Sequence, residues 1–177
     1  IEIEEYARQI FLSGVDMSKQ LIILRPTSIT GPELVRRKRG VSLQTWLRSS
    51  FPLFPIGNAQ WCRQFLHEYD LCSSISALLE LYPEKRYIVL NVTPSDYLSA
   101  VRLSLFLGKR LIFLSAYTIR IAFFFLRHVS LGYLPTSPGG WKFYSYPLLV
   151  DGSTFQLVSF YHYRFSSEQA LRLVEIK

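Results

Sequence analysis

Apolar residues along this 177-residue chain recur at two periods, and the alternation between them sketches a mixed α/β protein. In residues 1–13, Ile3, Tyr6, Ala7, Ile10 and Phe11 fall at three- and four-residue steps with charge between them, which predicts an amphipathic helix ending near Ser13 and Gly14. LIILRP follows, a short continuous apolar run closed by proline, the pattern of a strand buried on both faces of a parallel sheet. Helix then strand is half of a βαβ unit. TSITGP reads as turn, Leu43 to Ser50 as a short helix, and FPLFPIGN as a proline-punctuated loop, while RQFLHEYD holds a short extended piece. Leu71, Cys72, Ile75, Leu78 and Leu79 make the stripe of a helix with Asp70 as its N-cap. YIVLNV, residues 87 to 92, predicts a second buried strand, and Ser95 or Asp96 caps the helix after it, through about Phe106. LIFLSAYTIRIAFFFL is one apolar stretch with Arg120 near its middle, shorter than the roughly 20 residues a bilayer span needs, so no transmembrane helix is expected. PTSPGG reads as a loop, and SSEQALRLVEIK closes the chain as a helix with Ser166 or Ser167 as cap and Ala170, Leu171 and Val174 on one face.

Composition narrows the class. With 49% hydrophobic, 15% aromatic and 19% charged residues the chain is no disordered tail, and its length suits one domain or two small lobes sharing a core. The net charge of +7 favours anionic partners: phosphates, nucleotides or acidic lipid surfaces. That charge is unevenly spread, because Tyr97 to Val150 holds no Asp or Glu while Arg102, Lys109, Arg110, Arg120, Arg127 and Lys142 make it +6. The run Arg36 to Arg39 reads as solvated loop, too small a footprint for nucleic acid, and no nucleic-acid partner is expected. Cys62 and Cys72 form no C-x-x-C, and His67, His128 and His162 lie far apart, so neither a disulfide framework nor a metal site is expected, and a reducing cytoplasm is the expected setting. Glu2, Glu4 and Glu5 do not suit a secretory signal, and a start at Ile1 suggests part of a longer protein. The glycines form neither G-x-G-x-x-G nor a P-loop, and there is no G-x-S-x-G, so no catalytic residue is assigned. Tyr6 has Ile10 where an activating lysine would stand.

Four segments, in order, carry a resemblance: IEIEEYARQIF with LIILRPTSITGP, then RQFLHEYDLCSSISALLE, then YIVLNV, then PLLVDGS with FSSEQAL. Together they are similar to the C-terminal half of the NAD-dependent epimerase/dehydratase family, the extended short-chain dehydrogenases. The resemblance implies an α/β fold in which the last elements of a Rossmann-type parallel sheet interleave with a small substrate-binding lobe over residues 1–177. The catalytic Tyr-x-x-x-Lys would then precede Ile1. It implies NAD or NADP as cofactor, with Pro26, Thr27 and Ser28 lining the nicotinamide site largely through backbone groups, and hydride transfer as the chemistry. A small-molecule substrate, nucleotide-sugar-like, would set its phosphates against Arg63, whose forked donors can bind two oxygens at once. The competing reading pairs Arg63 with a carboxylate such as Glu68 or Asp70. His67 is expected to be packed and hydrogen-bonded, and Asp70 structural. Two departures stand out: Val158-Ser159-Phe160 replaces the family's Leu-Gly-aromatic element, and Thr93-Pro94 replaces the glycine after Asn-Val. The full-length form could be a homodimer, and the isolated chain should be inactive. From a different class comes a noncatalytic remnant or binding module, docked to a partner or peripherally to an anionic membrane through the basic, acid-free segment.

Overall fold

The computed structural model describes residues 2–14, 19–33, 52–81, 87–129 and 139–172. The basic run Arg36 to Arg39, the expected helix from Leu43 to Ser50, most of the PTSPGG loop and Val174 lie outside them.

Helix α1 (Glu2–Ser13) precedes strand β1 (Leu21–Pro26), which pairs in parallel with β6 (Tyr87–Val92), Leu21 opposite Tyr87 and Pro26 opposite Val92. The long connection a parallel pair requires contains helix α2 (Glu68–Leu81), so the two apolar runs and the stripe between them make a βαβ unit. Short strands interrupt the crossover. β2 (Ser28–Thr30) runs parallel to β5 (Phe65–His67), β3 (Leu53–Ile56) waits for a later partner, and β4 (Cys62–Arg63) pairs antiparallel with β7 (Leu98–Ser99).

The second half adds α3 (Ala100–Leu107), β8 (Arg110–Phe113), α4 (Ala116–Val129), α5 (Lys142–Ser145), α6 (Ser153–Ser159) and α7 (Ser167–Arg172). β8 pairs in parallel with β3. Two expected loops are therefore strands. TSITGP contains β2, and FPLFPIGN contains β3, where Pro55 is tolerated because a two-stranded pair is all edge. The long apolar stretch also divides, since Leu114 and Ser115 separate β8 from α4 and the Ser115 Oγ caps the helix by accepting from Thr118 N at 3.0 Å. Among the described residues no helix is long and apolar enough to cross a membrane.

Caps fall one partner away from their expected places. Helix α3 is capped by Ser99, which accepts from Arg102 N, rather than by Ser95 or Asp96. Asp96 caps α7 instead: its carboxylate accepts from Ser167 N at 2.8 Å, a contact between segments 71 residues apart that local spacing does not encode. At Ser166 the cap is a reciprocal box, Gln169 N donating to the serine Oγ at 3.3 Å while Ser166 N donates to the Gln169 side chain at 2.9 Å. Asp70 is not an N-cap. It lies inside the first turn of α2, fully buried, with Oδ1 accepting from the Tyr161 hydroxyl and Arg164 N and Oδ2 from Phe165 N. Its carboxylate thus anchors the whole 161–165 segment to α2.

Two apolar clusters result. In the lobe, Phe54, Ile56, Trp61, Phe65, Leu98 and Leu103 pack with Ala170 and Leu171 of α7. Against the β1–β6 pair, Leu66, Leu78, Leu90 and Val92 meet Phe155 of α6.

Candidate functional site

Residues 61–65, which run through β4 into β5, divide their chemistry between two sides. Trp61, Arg63 and Phe65 alternate onto one side and Gln64 onto the other, as period-two spacing requires. Gln64 is buried and locks two loops together: its Nε2 donates to Pro94 O at 2.9 Å and Val150 O at 3.1 Å, and its Oε1 accepts from Val150 N at 2.8 Å. These loops bound a cavity of about 330 Å³, lined by Gln64, Thr93, Pro94, Asp151, Gly152 and Gln156. Asp151 lies just ahead of α6, both oxygens accepting from Ser153, and those hydrogen bonds hold its pKa below the usual carboxylate value.

Arg63 is not among the residues lining that cavity. Only 2% exposed, its guanidinium lies 4.7 Å from the Phe143 ring and 5.6 Å from the Trp61 ring. Nη2 donates to Phe143 O at 2.6 Å, a carbonyl that also accepts from Trp61 Nε1 at 2.8 Å, while Nε and Nη1 are buried with no partner. The expected alternative, a carboxylate from Glu68 or Asp70, is excluded. Glu68 turns over Gly31, where a Cβ would come within 2.1 Å of its side chain, and accepts from Glu33 N at 3.0 Å. Asp70 is committed to the 161–165 segment. Burial pushes the Arg63 pKa down to about 10, so the group stays cationic at neutral pH, without a carboxylate among the described residues to pair with it. A buried charge left in this state costs several kcal/mol on the order-of-magnitude scale of desolvation.

Pro26, Thr27 and Ser28 lie at the C-terminal end of β1, where it runs beside β6. The Thr27 backbone N–H is spent on Val92 O at 3.2 Å, so it cannot serve a ligand. Its Oγ1 is buried and has no partner. His67 is packed as expected, stacked on Phe165 with ring centroids 4.3 Å apart, its Nδ1 accepting from Tyr69 N. The family resemblance pointed to Arg63 and to Pro26, Thr27 and Ser28, but the aromatic enclosure by Phe143 had no signal, because it depends on a contact 80 residues away in the chain.

No protein-family model and no curated protein matches the chain. Solved structures do. MoeE5, solved in complex with UDP-glucuronic acid and NAD, superposes with a TM-score of 0.60 at 15% identity, over 96% of this chain and 50% of its own. The UDP-glucose-4-epimerase of Stenotrophomonas maltophila, solved with bound NAD and formylated UDP-arabinopyranose, does so at 0.57 and 14% identity, over 96% and 50%. RMD from Pseudomonas aeruginosa, complexed with NADPH, gives 0.55 and 12%, over 94% and 50%. The chain has their fold. It spans about half the length of the structures it matches, and over that half it is the partial Rossmann architecture that the four ordered segments imply, β1 and β6 being its parallel strands.

Proposed function

We propose that this chain is the substrate-binding part of an NAD(P)-dependent epimerase, dehydratase or dehydrogenase acting on a nucleotide-sugar-like substrate, with Arg63 receiving the substrate's phosphates. The observation that carries this reading is the buried guanidinium whose Nε and Nη1 lack partners. A diphosphate supplies what the site lacks: charge and paired oxygens for a forked donor. The Phe143 ring, 48% exposed, lies against that donor. Support at the level of fold comes from neighbours whose structures hold UDP-sugars and NAD. For the cofactor, the residues ending β1 fit. The Thr27 Oγ1 is an unpartnered buried hydroxyl beyond the carboxyl ends of parallel strands, where ligands bind in open α/β sheets, and it suits the amide of a nicotinamide. Pro26 and Ser28 would flank it. When bound, the cofactor supplies and accepts hydride, and this chain's own residues hold and orient the substrate.

Replacing Arg63 by Ala in the full-length protein tests the reading. The expected result is a KM rise equivalent to roughly 2–4 kcal/mol of substrate binding, with kcat changed much less. Arg63→Lys, which keeps charge and loses the fork, should recover part of it. Unchanged KM with a lowered Tm would overturn the assignment. Taken alone, the 177 residues should bind NAD only weakly, because the sequence has no glycine-rich pyrophosphate turn. A calorimetric titration giving micromolar affinity would contradict that.

A further inference from the structure

Helix α4 is apolar on the side facing away from the protein. Its inward stripe is Ala116, Ile119 and Phe123. Ile119 is 2% exposed, and the Phe123 ring lies 5.2 Å from that of Tyr144. At helical spacing on the opposite side stand Tyr117, Ile121, Phe124, Phe125 and His128, with Tyr117 70% and Phe124 59% exposed. Phe124 stacks on His128 at 4.1 Å and meets Phe125 edge-on at 6.0 Å, so these rings form one exposed aromatic surface. A helix that is apolar on both sides belongs where water is excluded from both.

One edge of this face is basic. The exposed Arg120 lies 5.8 Å from the Trp141 ring, and Lys142, exposed at the start of α5, lies 6.0 Å from the same ring. Neither forms an ion pair among the described residues, and the segment from Tyr97 to Val150 contains no acid to answer them.

We propose that α4 and its Arg120–Trp141–Lys142 edge seat the protein on an anionic phospholipid surface, the Phe and Tyr rings entering the acyl boundary and the two cations meeting headgroup phosphates. The geometry fits a helix lying in the plane. Fourteen residues rise about 21 Å, too little to cross a bilayer and enough to lie along one with its outer face immersed. Trp141 beside two cations matches the level at which indole and basic side chains gather in membranes. Charge selects the occupant. A second copy of the same face would bring Arg120 and Lys142 against their own equivalents with no carboxylate in the segment to neutralise them, whereas anionic lipid neutralises both.

Co-sedimentation of the full-length protein with vesicles of phosphatidylglycerol and phosphatidylcholine, against phosphatidylcholine alone, tests this at low and physiological salt. Pelleting should require the anionic lipid and weaken as salt rises. Arg120→Glu, an exposed substitution that should leave the melting curve unchanged, should lower the partition coefficient by at least about fivefold. Phe124→Ser with Phe125→Ser should abolish it; should that double variant fail to fold, Arg120→Glu decides alone. Equal pelleting with both lipids, pelleting with neither, or indifference to Arg120→Glu overturns the proposal. So does a sedimentation-velocity dimer that the Phe variants split, which would mean that a second copy covers the face.

Discussion

The lobe core and the β1–β6 pair are built from equally apolar strands and end in different states. In the lobe, Phe54 and Ile56 of β3 are fully buried, enclosed with α3 and α7 around them. In the sheet pair, Leu21 to Leu24 are only half-buried and α1 buries no residue at all, with Ile3 84% exposed. The difference is one of cover. β1 has one strand neighbour among the described residues, and α1 is tied to it through the Arg25 side chain, whose Nε donates to Glu4 at 2.9 Å and whose Nη2 pairs with the same carboxylate. That pairing lowers the Glu4 pKa. A strand can thus be patterned for an interior that the described residues do not complete. Under the proposed reading, the remaining half of the Rossmann sheet would complete it.

The largest test of this contrast is truncation on both sides. Phe54→Ala should destabilise by about 3–5 kcal/mol, since it empties a closed cluster, while Ile23→Ala in the 177-residue chain should cost only about 1–2 kcal/mol because the site is already half-open. Denaturant midpoints compare them. Equal losses would mean that the sheet side is as enclosed as the lobe.

A sharper test reverses the sign. Arg63 is the one described side chain in the lobe left with two buried, unpartnered nitrogens, so Arg63→Met should raise stability by about 1–3 kcal/mol while weakening substrate binding. Thermal melts with and without a nucleoside diphosphate read both effects. A variant less stable than the parent would place the arginine among the structural parts of the lobe.

The smallest effect concerns how α7 is tied to that lobe. Ser166→Ala removes one arm of the capping box with Gln169 and should cost about 1 kcal/mol. Ser167→Ala should cost more. Its hydroxyl accepts from Phe65 N at 3.1 Å and donates to Asp96 O at 3.0 Å, joining α7 to β5 and to the loop before β7. The order of the two melting temperatures checks this, and the reverse order would contradict it.

What the sequence determined by itself depends on neighbours a few residues apart. The stripe of α2, the runs of β1 and β6, the serine cap of α7 and the alternation that separates Arg63 from Gln64 are all local, because helix and strand periods are set by backbone geometry. The order of the four segments also carried the fold, through their resemblance to the C-terminal half of the epimerase/dehydratase family. Tertiary structure alone decided the rest. Asp70 became an anchor for residues 161–165 and Asp96 a cap for α7 because partners more than 70 positions away supplied donors that local spacing cannot reveal. Whether Arg63 met a carboxylate or an unanswered site between two rings was likewise settled by where Phe143 came to rest, and a buried charge is decided by the full set of atoms around it.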